Sequence, residues 1–303
     1  MKLAIIVAME KEIELLIKYY EAKEISSTHH IYQSQKYPNI YISRSGIGKV
    51  NAAMNTQYLI DTYEPNYIIN TGCAGSLVDS VHIMDTVVAK FSTYHDFLPL
   101  RIMKQNTPDE GKIESNIDML NQAEQVLKER KEPYHIGTIC SGDCFVTNEL
   151  QRDQIYEQTE ALCVDMESAS IAHVSKKNNI PFISIRTMSD FSDGAEEKEQ
   201  EAANVASQIV IEIVKNYEKT IWLVHWVWYG RTHCSYWWIL TNHYRFYLIY
   251  RILLKHLIRC FFIKKRCNYF ASPSTNSKIT IKASSPLRSF NFKILVYPPF
   301  LVA

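Results

Sequence analysis

Residues 221–303 contain no aspartate or glutamate, although the 303-residue chain carries 32 of them. The same stretch holds 12 of the 33 lysines and arginines and all five tryptophans. The net charge of +1 therefore hides two regions of different character, and composition sets their boundary near Lys219–Thr220. The seven cysteines (73, 140, 144, 163, 234, 260 and 267) include no CxxC pair. Cys140 and Cys144 lie four apart with no second Cys or His pair at ligand spacing, which argues against zinc, and no metal is expected. No uncharged stretch in the tail reaches the roughly 20 residues a membrane helix needs, because Arg245, Arg251, Lys255 and Arg259 interrupt every such window. Nor is a secretory leader expected. The apolar run after Met1 stops at Glu10 without a cleavage site, so a reducing cytoplasm is the expected compartment. No internal repeat is visible.

What is present alternates. "KLAIIVA" (2–8) is a continuous apolar run of the kind a parallel strand covered on both faces requires. "EKEIELLIKYY" (10–20) follows, with Ile13, Leu16, Ile17 and Tyr20 at helical spacing. A hairpin is expected at 31–35 and 40–45, a helix at 47–63 and a strand at 66–72. Strands at "TVVAKF", 135–142, 161–166 and 180–190 then interleave with helices at 117–130, "NELQRDQIYEQT", "ESASIAHVSKKNN" and 201–219. Such alternation predicts a three-layer α/β sandwich around a mostly parallel mixed sheet over residues 1–219. Residues 220–303 are expected to be an aromatic, basic tail and not an independent domain.

Small and polar residues gather at three strand ends, "NTGCAGS" (70–76), "CSGDCF" (140–145) and "RTMSDFSDG" (186–194). Glutamates crowd a fourth, the Met9–Glu12 junction. Glycine there permits close backbone approach to a ligand, and open α/β sheets bind ligands at such ends. Taken singly, each feature also has a plain structural use. A glutamate in a first helical turn suits the helix dipole, and an aspartate after a strand suits a cap or turn. A methionine or phenylalanine after a strand is ordinary core, and a lone strand arginine reads as an ion-pair residue.

The segments "AMEKE", "SGIGKVNAA", "NTGCAGS", "SGDCF", "VDMESASIAHV" and "RTMSD", in this order, resemble the 5′-methylthioadenosine/S-adenosylhomocysteine nucleosidases. These belong to the purine nucleoside phosphorylase/uridine phosphorylase superfamily, and the resemblance covers residues 1 to about 218. It implies a nucleoside phosphorylase-like fold, a homodimer, a purine nucleoside substrate and no cofactor. It also implies that Glu12 is the base that activates water and that Asp190 gives a proton to N7 of the departing adenine. Two carboxylates with opposed tasks suit the reaction, since adenine leaves poorly as an anion and water must attack an oxocarbenium-like ribose. By the same resemblance Met166, Glu167 and Arg186 lie about the ribose, and Ser189 steadies Asp190. Phe145 and Val146 hold the purine, while Met9, Cys73 and Gly75 line the pocket. His95 is expected to be structural.

A phosphorylase needs amides and cations to cradle phosphate after the first strand. The turn "AMEKE" has two glutamates and no glycine there, which favours hydrolysis. Three features depart from the resemblance. Cys73 stands where these nucleosidases usually carry serine, and the stretches 94–112 and 192–204 lack the usual aromatic loop patterns. The two stretches bear on substrate choice, and the weaker hydrogen bonding of the Cys73 thiol bears on activity. A nucleoside phosphorylase, a nucleosidase for another 5′-modified purine nucleoside and a catalytically silent nucleoside-binding protein are therefore the rival readings. The leading reading of the tail is a translated extension past a natural end near residue 219. Membrane-surface contact by its basic, aromatic face is less favoured, and no nucleic-acid module is apparent in it.

Overall fold

The computed structural model describes residues 2–192, 198–229, 278–283 and 290–295. Two compact units divide the chain, residues 1–232 and 233–303. In chain order the first unit contains β1 (Leu3–Val7), α1 (Glu10–Tyr20), β2 (Lys23–Ser26), β3 (Ile31–Gln33), β4 (Ile40–Arg44), α2 (Lys49–Tyr63) and β5 (Tyr67–Ser76). It continues with β6 (Thr86–Tyr94), α3 (Leu100–Asn106), β7 (Ile113–Glu114), α4 (Ile117–Arg130), β8 (Tyr134–Ser141) and α5 (Glu149–Thr159). It ends with β9 (Cys163–Asp165), α6 (Ser168–Lys177), β10 (Phe182–Asp190) and α7 (Glu199–Tyr229).

β1 is buried at every residue, as its unbroken apolar run requires. β4 and β5 flank it in parallel, Ile5 facing Ile42 on one side and Ile69 on the other. Alternate β1 side chains then build two cores. Leu3, Ile5 and Val7 pack with Ile13, Leu16 and Tyr20 of α1, Leu127 of α4 and Ile209 and Ile213 of α7. Ala4 and Ile6 pack with Ala52 and Leu59 of α2 and Ile171 of α6. Helices thus cover both faces, which makes three layers. Each fully buried large apolar side chain contributes about 1.5–3 kcal/mol.

The mixed sheet has its longest ladders parallel, β5 with β10 and β6 with β8. Pairing also closes on itself. β10 joins β5 on one side and β6 on the other, β6 joins β8, β8 joins β9, and β9 returns to β5 at Gly75–Val164. This ring brings the ends of β5, β9 and β10 together beside the end of β1.

Stretch 94–112, read from sequence as a loop, carries α3 and leads to β7. α3 is seven residues long and buries only Met103, so it has no apolar stripe for periodicity to reveal. β2 escaped notice because three of its four residues are exposed on the sheet edge. α7 runs on to Tyr229, beyond the composition break at 219. In the second unit β11 (Lys278–Ala283) and β12 (Phe290–Leu295) form an antiparallel pair. Most of the tail and residues 193–197 of the 192–204 stretch lie outside the described residues.

Candidate active site

A cavity of about 320 Å³ opens where these strand ends meet. Glu12, Asp190, Met9, Cys73, Gly75, Phe145, Val146, Met166, Glu167, Arg186 and Ser189 all line it. Phe145 is half exposed, whereas Val146 is buried.

Glu12 is the third residue of α1 and is fully buried. Its Oε2 accepts the N–H groups of Ala8 (2.8 Å) and of Met9, the N-cap residue (2.9 Å). The Met9 bond is the reach-back half of a capping box. Oε1 crosses to the neighbouring strand and accepts the N–H of Cys73 at 3.0 Å. One carboxylate therefore ties the end of β1 to the end of β5. Gly72 makes room for it, because a Cβ there would overlap Glu12 and come within 2.6 Å of Arg186 Nη1, at a φ of +152°.

Arg186 is fully buried on β10 and lies among three carboxylates: Asp165 at 2.8 Å, Glu167 at 3.2 Å and Glu12 at 3.7 Å. It also donates to Asn70 Oδ1 (3.0 Å) and to the carbonyl of Cys73 (3.2 Å). Burial alone would favour its neutral form, but Asp165, Glu167 and Glu12 outweigh that and hold the guanidinium charged. Asp165 is itself fastened by hydroxyl donors from Ser141 (2.5 Å) and Ser168, and it accepts the N–H groups of Glu167 and Ser168.

Glu167 caps the start of α6, accepting the N–H of Gly48 on Oε1 (2.9 Å) and Arg186 Nη2 on Oε2 (3.2 Å). Burial pushes its pKa up to about 7, Asp165 and Glu12 push the same way, and Arg186 and the Gly48 N–H oppose. Cys73 keeps its proton, since burial and then Glu12 raise its pKa. Its thiol points to Glu12 Oε1 at 3.7 Å, a weak donor where a hydroxyl would be a strong one.

Asp190 ends β10. Ser189 Oγ donates to its Oδ2 at 2.7 Å, and the backbone N–H of Ser192 donates to its Oδ1 at 2.7 Å. Gly75 runs close alongside, because a Cβ there would sit 2.8 Å from Asp190 Oδ1 and collide with Ser192 Oγ. His95 does not line the cavity. It is buried beside Gly142, and burial lowers its pKa.

Sequence reading missed several contributors. Asp165, Ile47, Cys144 and Ser192 line the same cavity, and Asn70, Gly48 and Gly72 hold its acidic side chains and arginine. Asp165 sat in plain view beside Met166 and Glu167. Its signal was the need of a buried arginine for a counter-charge. Among the described residues, no group of His, Cys, Asp and Glu is arranged to hold a metal ion. No described helix is long and apolar enough to cross a membrane.

The sequence and fold have known counterparts. The family model described as the phosphorylase superfamily matches residues 2–217. The 5′-methylthioadenosine/S-adenosylhomocysteine nucleosidase of Staphylococcus carnosus is 34% identical over 228 residues, covering 71% of this chain and 99% of that protein. Among solved structures, the Neisseria meningitidis nucleosidase in complex with methylthio-immucillin-A is 30% identical, with a TM-score of 0.67 over 71% of this chain and 99% of that one. A futalosine hydrolase mutant of Helicobacter pylori is 25% identical, with a TM-score of 0.65 over the same shares. Over residues 2–217 the chain belongs to the phosphorylase superfamily.

Proposed function

We propose that this chain hydrolyses the N-glycosidic bond of 5′-methylthioadenosine and S-adenosylhomocysteine, releasing adenine and the 5′-thioribose. Such a reaction serves methionine salvage. Glu12 takes a proton from the attacking water, and Asp190 supplies one to N7 of the purine. Glu167 accepts the ribose hydroxyls, with Met166 against the sugar face and Phe145 and Val146 about the base. Arg186 stabilises the acidic floor and orients Glu167.

One observation carries hydrolysis over phosphorolysis. The amides of Ala8 and Met9, which a phosphate cradle at the first turn would need, are already taken by Glu12 Oε2. A phosphate entering there would meet a carboxylate in place of free donors. Identity to methylthioadenosine nucleosidases favours the adenine nucleosides. The likeness to a futalosine hydrolase keeps another 5′-modified nucleoside as the second reading.

Adenine release from a panel of 5′-substituted adenosines, with and without phosphate, tests the reaction. The expected result is release that does not depend on phosphate, with Glu12→Gln and Asp190→Asn each lowering kcat about 10²–10⁴-fold. Phosphate-dependent release would make the enzyme a phosphorylase. Unchanged release in both variants would overturn the acid–base scheme, and no release by the wild type would leave a silent nucleoside binder.

The same reading includes a cytoplasmic homodimer. The four described cysteines are free thiols, which suits a reducing compartment. Ile47, Val50 and Met54 expose 51%, 76% and 58% of their surface at the start of α2, an apolar strip suited to a second copy. A sedimentation mass of one chain would refute the dimer.

A further inference from the structure

Three charged residues lie in segments named above yet play no part in the chemistry just proposed: Lys49 of "SGIGKVNAA", Asp96 of the stretch 94–112 and Asp143 of "SGDCF". Lys49 opens α2, Asp96 and Asp143 lie in the connections after β6 and β8, and the three meet. The Lys49 ammonium lies 2.6 Å from both oxygens of Asp96 and 3.8 Å from Asp143 Oδ2. The Lys49 backbone N–H donates to Asp143 Oδ1 at 2.7 Å. Asp143 closes the triangle, its own N–H donating to Asp96 Oδ2 at 2.8 Å. Every side is a charge-assisted hydrogen bond, of the stronger sort.

The triangle adds a cross-link to a turn whose other bonds run to Ala8, to neighbouring residues of its own stretch and to Glu167. The Gly46 N–H donates to the Ala8 carbonyl, and Asn51 Nδ2 donates to the Ile47 carbonyl. Gly46 and Gly48 have φ of +85° and +99°, conformations that glycine enters freely and that other residues rarely adopt. Between them Ile47 lines the cavity. Gly48 gives its N–H to Glu167 Oε1, one of the two donors that fix that carboxylate. On the opposite side of the triangle, Asp143 immediately precedes Cys144, Phe145 and Val146, which also line the cavity. Asp143 and Gly48 touch closely, since a Cβ on Gly48 would lie 3.1 Å from Asp143 Oδ1.

We propose that Lys49, Asp96 and Asp143 are positioning residues that clamp the Gly46–Gly48 turn to the connection after β8, so that the Gly48 N–H holds Glu167 ready for the ribose. None of the three lines the cavity. They act through Glu167, and through the spacing of Ile47 and Phe145 across the opening. The role in turnover rests on the cavity being the nucleoside site, whereas the clamp itself does not.

The Gly48 N–H favours ionised Glu167, and Arg186 from β10 does the same, while Asp165 from β9 and Glu12 from α1 oppose. Releasing the turn removes one of the two favourable groups. Glu167 then needs a higher pH to become a ribose acceptor.

The test uses the full chain as wild type, Asp143→Ala, Asp143→Asn and Lys49→Gln. It combines backbone hydrogen exchange over residues 45–52 with steady-state adenine release from 5′-methylthioadenosine across pH. Asp143→Ala and Lys49→Gln are expected to speed exchange in that segment and to raise KM about tenfold, the cost of loosening one hydrogen bond to a charged group. They should change kcat less and move the acid limb of kcat/KM to higher pH. Asp143→Asn keeps an oxygen for the Lys49 N–H and should recover most of the wild-type exchange and KM. Unchanged exchange in both Asp143→Ala and Lys49→Gln would overturn the clamp, as would an Asn variant no better than Ala. Should Asp143→Ala fail to fold, Lys49→Gln carries the same comparison. A wild type that releases no adenine would sink the functional reading, and exchange would still decide the clamp.

Discussion

Replacing Glu167 by glutamine should stabilise the empty protein at pH 8 and leave it unchanged near pH 4.5. The starting point is a side chain that is 4% exposed, pressed by Asp165 and Glu12, and served by two donors among the described residues. Its pKa stands at about 7, against an ordinary 4.5. Between those values the folded chain holds a proton that the unfolded chain has released, so stability falls as pH rises through this window. The gap corresponds to an order-of-magnitude cost of about 3 kcal/mol, present in full above pH 7 and absent below 4.5. For a unit of this size that is roughly 6–12 °C in Tm. Glutamine copies the protonated acid in shape and hydrogen bonding but cannot ionise. Other carboxylates titrate too. Asp85, Asp96 and Asp109 have lowered pKa values, and they contribute stability that is lost as pH falls through those values. The informative quantity is therefore the Tm of Glu167→Gln minus that of the wild type, measured by calorimetry from pH 4.5 to 8. It should start near zero and grow with pH. A difference that stays flat, or a variant less stable at pH 8, would refute the reasoning. Activity should move the other way, because the substitution weakens the group assigned to the ribose.

Two further outcomes follow from packing. Gly75→Ala would push its methyl against Asp190 Oδ1 and Ser192 Oγ, so kcat should fall at least about 10²-fold through displacement of Asp190. Retention of half the wild-type kcat would count against the role given to that carboxylate. Truncation after Lys219 removes the acid-free tail but keeps the buried face of α7 from Ala202 to Val214. The shortened chain should therefore match the full chain in kcat/KM and in melting, and an insoluble or inactive product would show that the tail is needed.

Much of the fold was legible because its elements carry strong local patterns. α1 and α4 begin and end where their apolar spacing does, at 10–20 and 117–130. Four helices, α1, α2, α4 and α5, end on a non-glycine residue in the left-handed region, Glu21, Glu64, Lys131 and Glu160. No glycine marks those ends, and apolar spacing locates only those of α1 and α4. Closure of the ring was not legible. β10 reads as one strand, yet it pairs with β5 and with β6, and nothing within nine residues specifies two partners so distant in the chain.

At the site, local reading and chemistry turn out to be the same thing at Glu12. A glutamate three residues past an N-cap ordinarily reaches back to the N-cap amide, and here it does so. That bond turns the carboxylate inward over the end of β1, where its second oxygen meets Cys73 and faces Arg186. Capping is thus the means by which a first-turn glutamate comes to stand in the cavity. Arg186 shows the opposite case. No acid adjoins it in sequence, and its counter-charges at 12, 165 and 167 gather only when β1, β9 and β10 end side by side. A buried arginine with no such neighbours would carry an uncompensated charge at a cost of several kcal/mol. The acidic residues at these junctions are therefore bound together by electrostatics before any substrate enters. Substitutions meant to probe one of them must be read against the others.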